Sequence, residues 1–505
     1  MNARRIILIS LLVVAAIVLI TVGPLAWLAT GGLRTPARVP APDYWPTDGW
    51  RASTPEEQGF PSEKLAAGLK ALQERHVDVD SLLIIRNGYV VADAHFEPYD
   101  GTFPHDLASA TKSVMTTLIA IAAEQGKLDL DRPVVSYFRD RTIANLDERK
   151  ARLTVRHLAS MRNGMESGCY DGDEPTIQAM RANHDWVQAA LDRPMVAEPG
   201  TKFCYDSPGM HLLSAILQEA TGMTALDFAR QYLFAPLGIH EAMWESDPQG
   251  LSRGWGDLHL LPEDLAKIGY LWLHRGNWDG QQIVSEAWVL DSVRAHSKFI
   301  KPDFGYGYGW WISDKDYQAA GRGGQRVRVM ATLNMLVVAT GAGFEYSEVE
   351  SWLIPILLQL KDTRPANPKG VAALQAALAS AGQGASWTAN YTPETAAKVS
   401  GNAYRCDSNP AGIETVRMEF NHAEQATMNL RMSGTDMVLP IGLDGRYRLS
   451  PAGSGYRGYW EDAQTFQLEA FDIGLLSRKV VFDGDSLEVS FPEAGLTVAC
   501  QVQNP

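Results

Sequence analysis

The sequence predicts an α+β fold: an antiparallel sheet flanked by helices with a helical subdomain, followed by a small C-terminal all-β domain. Three observations lead there. A hairpin pattern stands near the front, at 81–96. Strand patterns return after Tyr306 with helical patterns in between, so the two ends can pair into one sheet with the helices beside it. From Lys398 onward only short strands separated by turns remain, the spacing of a small barrel or sandwich.

The elements follow in chain order. Ser53-Thr54-Pro55-Glu56-Glu57 reads as a capped start leading into a helix over 62–75. In the hairpin, Leu82, Leu83, Ile84 and Ile85 form one strand, Asn87-Gly88 the turn, and Tyr89, Val90 and Val91 the return. A long apolar helix opens at Leu107 and runs to about Gln125, with Gly126 as its stop. Further helices are expected at 153–165, 183–192, 207–221, 226–237, 262–275 and 285–295. Strands are expected at 309–313, 317–320, 325–333 and 335–340, closed by a helix at 348–360. The C-terminal strands are expected at 415–420, 426–432, 436–441, 447–449, 465–470, 479–482 and 486–491.

The domain reading is 1–34 a membrane anchor, 35–49 a Pro- and Gly-rich tether, 50–362 the α+β body, 363–397 a linker, and 398–505 the β-domain. Arg4-Arg5 precede a run from Ile6 to Thr30 with no charged residue, long enough to span a bilayer. That predicts a single-pass protein of the cell membrane with its body on the periplasmic side; a cleaved signal peptide is the alternative. The four cysteines fit an exported chain, and their spacing suggests Cys169 with Cys204 and Cys406 with Cys500. No His or Cys cluster has metal spacing, so no metal is expected. A net charge of −14 without a basic stripe argues against nucleic acid as partner.

Chemistry concentrates at the start of the long helix. In Ser109-Ala-Thr-Lys112 one helical turn separates hydroxyl and amine, so both lie on one face. A serine hydroxyl is a weak nucleophile until a neighbouring base takes its proton, and a lysine can be that base. The free N–H groups of the first turn favour developing negative charge.

Ser109-Ala-Thr-Lys112-Ser, with Gly126-Lys-Leu-Asp-Leu-Asp131 downstream, resembles the active-site helix of serine hydrolases with the β-lactamase/penicillin-binding-protein (transpeptidase-like) fold. Leu158-Ala-Ser-Met161-Arg-Asn-Gly164, Pro199-Gly200-Thr-Lys-Phe203-Cys-Tyr205-Asp-Ser207, Pro236-Leu-Gly238, Gly276-Asn-Trp-Asp-Gly280 and Gly305-Tyr-Gly-Tyr-Gly309-Trp-Trp311 match in the family's order. The nearest branch is the esterase/amidase group around class C β-lactamases and nylon-oligomer (aminohexanoate-dimer) hydrolases. The resemblance implies Ser109 as the nucleophile that forms an acyl-enzyme, Lys112 as the lysine sharing its proton, and Tyr205 as a proton relay. Lys112 and Tyr205 both stand as candidates for the base.

The family's third motif is matched by Arg322-Gly323-Gly324-Gln325, where small residues let substrate lie along a strand. The resemblance places the backbone N–H groups of Ser109 and Gln325 in an oxyanion hole. Arg322, Gly323, Gly324, Tyr170 and Ser207 are the expected substrate-binding residues. Ser207 stands where the family has Asn, and Arg322 where it has Lys or His, so an ester or amide is favoured over a β-lactam. Of Trp310 and Trp311, alternation puts one in the core and the other on the cleft. No cofactor is implied, and the partner is a small-molecule or peptide substrate. The alternatives are a D-alanyl peptidase or penicillin-binding-type enzyme on cell-wall peptide, or a slowly acylated binding or sensor protein. The oligomeric state is not legible.

Overall fold

The computed structural model describes residues 36–97, 99–169, 173–298, 304–341, 343–382, 391–420, 422–450, 454–471, 475–491 and 495–503. Its sheet is built on one strand, Val79–Arg86, which is buried at every position. A strand that is apolar on both faces needs cover on both. It pairs antiparallel with Tyr89–His95 through the Asn87-Gly88 turn, and on its other side with Met335–Gly341. The nine-stranded sheet then continues through Arg326–Met330, Tyr317–Ala320, Trp311–Ser313, Phe304–Tyr306 and Ser297–Lys298, with Arg51–Ala52 at the opposite edge. The front hairpin and the late strands thus meet in one sheet, as the pattern predicts.

Alternation splits the apolar runs between two cores. Leu83, Ile85, Leu336 and Val338 face the larger one, with helices Thr111–Glu124, Ser207–Thr221 and Pro262–Leu273. Leu82, Ile84, Val337 and Ala339 face the other, with Ser62–Glu74 and Ser347–Leu357. Pro368–Ala381, within the stretch read as a linker, also packs there: Leu374 and Ala381 are buried against that second core. Its apolar stripe at helical spacing, rather than its Pro and Gly flanks, decides its place.

Thr111–Glu124 is buried almost throughout, and its polar side chains are satisfied. The Ser113 hydroxyl donates to the Gly309 carbonyl, and Thr116 Oγ1 donates to the Tyr308 carbonyl at 3.0 Å. These bonds hold the helix against the Gly-rich run that enters the Trp311–Ser313 strand.

The C-terminal strands form a ten-stranded sheet that closes on itself where Gly442 pairs with Arg457. Its interior is packed with side chains, among them Tyr404, Met418, Trp460, Phe466 and Phe482. Cys406 and Cys500 are disulfide-bonded across the barrel's first and last strands. Tyr447 and Phe471 of the barrel pack against Tyr99 and Phe103, on the segment that leads to Ser109. Arg457 donates to Glu97 and to Glu469, each at 2.6 Å.

The expectation of a single-pass membrane protein is corrected. Among the described residues no helix is long and apolar enough to cross a membrane. The stretch on which that expectation rested, 1–34, lies outside the described residues.

Candidate active site

Ser109 sits in a single 3₁₀ turn, Ala108–Ala110, directly before the helix Thr111–Glu124. The turn is held from its N-terminal side: the Ala108 N–H donates to Asp106 Oδ1 at 2.7 Å, and Ala108 itself has a φ of 44°. A non-glycine residue in that region is held there by its surroundings and is a common mark of a functional site. From Thr111 the helix is regular, which brings Lys112 back over Ser109.

The Lys112 side chain is fully buried. Its Nζ donates to Ser109 Oγ at 2.8 Å and to the Trp255 carbonyl at 2.8 Å. The carbonyl is fixed in turn. Trp244 Nε1 donates to the Arg253 carbonyl at 2.8 Å and the Gly256 carbonyl at 3.1 Å, gripping the loop on both sides of Trp255. Nothing in the sequence around Trp255 pointed to this role, because a backbone acceptor has no side-chain signature.

Tyr205 meets this pair with its ring face, Lys112 Nζ standing 4.7 Å from the ring centroid. The ring stacks on Trp311 with centroids 5.7 Å apart, while Trp310 is fully buried, as strand alternation requires. Asp206 and Ser207, beside Tyr205, are structural. Asp206 accepts from Asn163 at 2.7 Å and pairs with Arg193 at 2.6 Å, while the Ser207 N–H bonds Asp173 at the start of the next helix. Cys204 is bonded to Cys169, which ties the segment that carries Tyr205 to the 161–169 loop. Tyr170 lies outside the described residues.

A cavity of about 360 Å³ opens over Ser109. Its described lining is Ser109, Tyr205, Trp311, Ala320, Gly321, Arg322 and Arg326. The strand that borders it therefore presents Ala320-Gly321-Arg322, two residues earlier than the sequence match placed it. The strand Tyr317–Ala320 ends there, and the chain turns away through Gly323 and Gly324, with φ of 87° and 102°. Gly324 packs beneath Phe344 rather than facing the cavity.

Gln325 is fully buried behind this wall. Its amide clamps the Gly341 backbone, donating to the carbonyl at 2.7 Å and accepting from the N–H at 3.1 Å, and its own carbonyl receives the Gly321 N–H at 2.8 Å. Gln325, Gly323, Gly324 and Ser207 thus do not line the cavity, and Ala320, Gly321 and Arg326 take their place. Gly321 fits so closely that a Cβ on it would stand 2.4 Å from the Leu107 carbonyl oxygen.

The arrangement is a buried amine aimed at a serine hydroxyl, at the mouth of a cavity bordered by an exposed strand end. Comparison with known proteins agrees with that chemistry. The Beta-lactamase family model matches residues 64–349, more than half of the chain. Over 271 residues the chain is 24% identical to the 6-aminohexanoate-dimer hydrolase of Paenarthrobacter ureafaciens, covering 50% of this chain and 67% of that one. Over 182 residues it is 27% identical to the monacolin J acid methylbutanoyltransferase of Aspergillus terreus, covering 32% of this chain and 43% of that one. The match thus spans about two thirds of the first relative and less than half of the second. Among solved structures, a Bacillus anthracis protein assigned as a 6-aminohexanoate-dimer hydrolase has a TM-score of 0.52 at 19% identity, over 64% of this chain and 88% of that one, and shows the shared fold. The chain belongs to the beta-lactamase family and is an enzyme of the serine hydrolase and acyltransferase type.

Proposed function

We propose that this enzyme cleaves an ester or amide bond of a small molecule or peptide through an acyl-enzyme on Ser109. The observation that supports it best is the 2.8 Å hydrogen bond from Lys112 Nζ to Ser109 Oγ beneath an open cavity. In this reading the Lys112 amine takes the Ser109 proton as Oγ attacks the substrate carbonyl. The tetrahedral oxyanion is held by backbone N–H groups, with those of Ser109 and Gln325 as the candidates. The proton passes to the leaving alcohol or amine, and Tyr205 is the candidate relay for it. Water then attacks the acyl-enzyme and restores Ser109. An alcohol in place of that water would make the same site an acyl transferase, as in the Aspergillus relative. Trp311 forms the apolar floor, and Arg322 the charged rim. The catalytic body is taken as 50–362, with 363–397 joining it to the β-domain at 398–505.

The test is hydrolysis of short-chain p-nitrophenyl esters by the wild type beside Ser109→Ala. We expect Ser109→Ala to lose at least about a thousandfold in kcat while keeping its fold by circular dichroism. Equal activity in the two proteins would remove Ser109 as nucleophile.

A further inference from the structure

The carbonyl that Lys112 Nζ meets at 2.8 Å belongs to Trp255, in the middle of a long connection, 245–257. That connection joins Ala242–Trp244 to Leu258–Leu260, neighbouring strands of one small sheet. Loops are the part of a fold that local sequence holds least firmly, yet Lys112 needs one oxygen of this loop kept in place. Against the Trp255 ring stands a pair of polar side chains that the reaction at Ser109 does not use. His211, on the helix Ser207–Thr221, is fully buried and meets the Trp255 ring edge to face, with centroids 5.1 Å apart. Its Nε2 is hydrogen-bonded to Asp247 Oδ2 at 3.2 Å, and neither side chain has any exposed surface. Asp247 Oδ1 accepts the N–H groups of Gln249 at 2.8 Å and Leu251 at 2.9 Å, which ties off the first half of the loop. The sequence pattern singled out neither residue.

Such a pair is a weak stabilising device. Both groups have lost their water, and apolar side chains of similar volume in their place are often as stable or more so. His211 Nδ1 is buried with no hydrogen-bond partner among the described residues. Burial pulls the His211 pKa below its ordinary value, and the bond to Asp247 offsets this only in part. What the pair achieves is geometric. The helix that carries His211 begins at Ser207, two residues after Tyr205, and Asp247 belongs to the loop that carries Trp255. The His211–Asp247 bond therefore joins the two segments that bring Tyr205 and the Trp255 carbonyl to Lys112. One turn further along the same helix, the Ser214 hydroxyl donates to the Ser252 carbonyl at 2.7 Å, a second grip on the same loop.

We infer that His211 and Asp247 are positioning residues for the reaction at Ser109, holding Trp255 so that its carbonyl accepts from Lys112 while the Ser109 proton moves to the amine. The inference rests on the reading of Lys112 as the group that takes that proton. Neither residue touches substrate, and the bond between them is unchanged by the reaction. Once protonated, the amine is an ammonium whose N–H groups need fixed acceptors, and a carbonyl displaced by about an ångström would let it turn away from Ser109 Oγ.

The test uses the full chain, with p-nitrophenyl acetate hydrolysis and the rate of Ser109 labelling by a fluorophosphonate–rhodamine probe as readouts. We expect His211→Phe to keep KM within about twofold and to lower kcat and the labelling rate by about tenfold or more. His211→Gln, which can still donate to Asp247, should recover part of that loss. The deciding readout is the same change made in Lys112→Ala. There a residue that acts through Lys112 has nothing left to position, so His211→Phe should alter the residual rate by less than about twofold. A merely structural histidine would lower the rate by the same factor in both backgrounds, and that result would overturn the inference, as would a folded His211→Phe with wild-type kcat. Should His211→Phe fail to fold by circular dichroism, Asp247→Asn takes its place, because it keeps an oxygen for the Gln249 and Leu251 N–H groups and removes the charge that faces His211. A fall of about threefold in kcat, absent in Lys112→Ala, is then expected, and no fall would overturn the inference. Full activity in Lys112→Ala alone would overturn the reading of Lys112 and the inference with it. That failure is distinct from failure of the pair, since Lys112→Ala leaves His211 and Asp247 in place.

Discussion

Lys112 has two hydrogen-bond acceptors, a serine hydroxyl and a backbone carbonyl, and neither carries a charge. Among the described residues no carboxylate forms an ion pair with it. Replacing it with alanine is expected to lower kcat by about 10²–10⁴-fold, the range for a lost general base, with Ser109 still present to be acylated slowly by an activated ester. Burst kinetics with p-nitrophenyl acetate would show this as a slowed acylation phase. The histidines report on stability instead. His259 and His274 are both lowered to about 4, His259 by burial and then by the charge of His105, His274 by burial alone. Both stay neutral in the fold where the unfolded chain would take up protons near about pH 6.5. The unfolded state therefore binds more protons between these values. Stability is full above about pH 6.5 and is lost as pH falls toward about 4, by up to about 3 kcal/mol per histidine. His105 runs the other way: burial pulls its pKa down, but the Asp80 hydrogen bond and charge outweigh it and raise it. That pairing is complete below the ordinary histidine range and is lost as pH rises through the folded value. Thermal unfolding across this range should show a Tm that drops on acidification, and His274→Phe should flatten the drop.

At the scale of elements, the nucleophile turn and the strand end beside it are set by one close approach. Gly321 lies against Leu107 and Ala108, so that a methyl group there meets backbone rather than a movable side chain. Gly321→Ala is expected to push the Ala108–Ala110 turn away, lowering kcat by about tenfold or more while Tm falls only a few degrees. An unchanged kcat would mean that the turn does not depend on the strand end. This contact also explains why the site was legible only in part. The Ser109–Lys112 spacing is local, because helix geometry alone brings those side chains together. The strand motif is not local. Arg322-Gly323-Gly324-Gln325 matched by residue type, but where the chain leaves the cavity depends on the two positive-φ glycines, which moved the wall to Ala320-Gly321-Arg322. Trp255 and Arg326 were missed for a related reason. One acts through its backbone, and the other acquires its meaning only from what lies around it in space.

Across the whole molecule, the barrel bears on the segment that delivers Ser109. Phe471 stacks on Tyr99 with centroids 5.8 Å apart, and Arg457 ties Glu97 to Glu469. Tyr99 in turn donates to the Phe103 carbonyl at 2.7 Å, two residues before His105 and its partner Asp80. Arg457→Ala leaves two carboxylates unmet at a mostly buried junction and is expected to cost about 2 kcal/mol, less than a fully buried pair because Glu97 stays partly exposed. Chemical denaturation would measure it, and Arg457→Lys should recover only a fraction because one guanidinium serves both partners. Removing the Cys169–Cys204 bond through a double Cys→Ser change should lower stability by about 2–4 kcal/mol. Activity should fall with it at higher temperature, since Tyr205 follows Cys204 directly.

By itself the sequence determined what depends on neighbours along the chain: the hairpin at Asn87-Gly88, the two-sided apolar strands that pair into one sheet, the serine and lysine one turn apart, and the run of short strands that closes into a barrel. These follow from periodicity and turn chemistry, which act over a few residues. Tertiary structure alone decided which carbonyl holds Lys112, which three residues of the strand end border the cavity, and that the barrel packs against the approach to Ser109. Each of those depends on groups far apart in the chain meeting in space, where burial and the choice of hydrogen-bond partner, not spacing, set what a residue does.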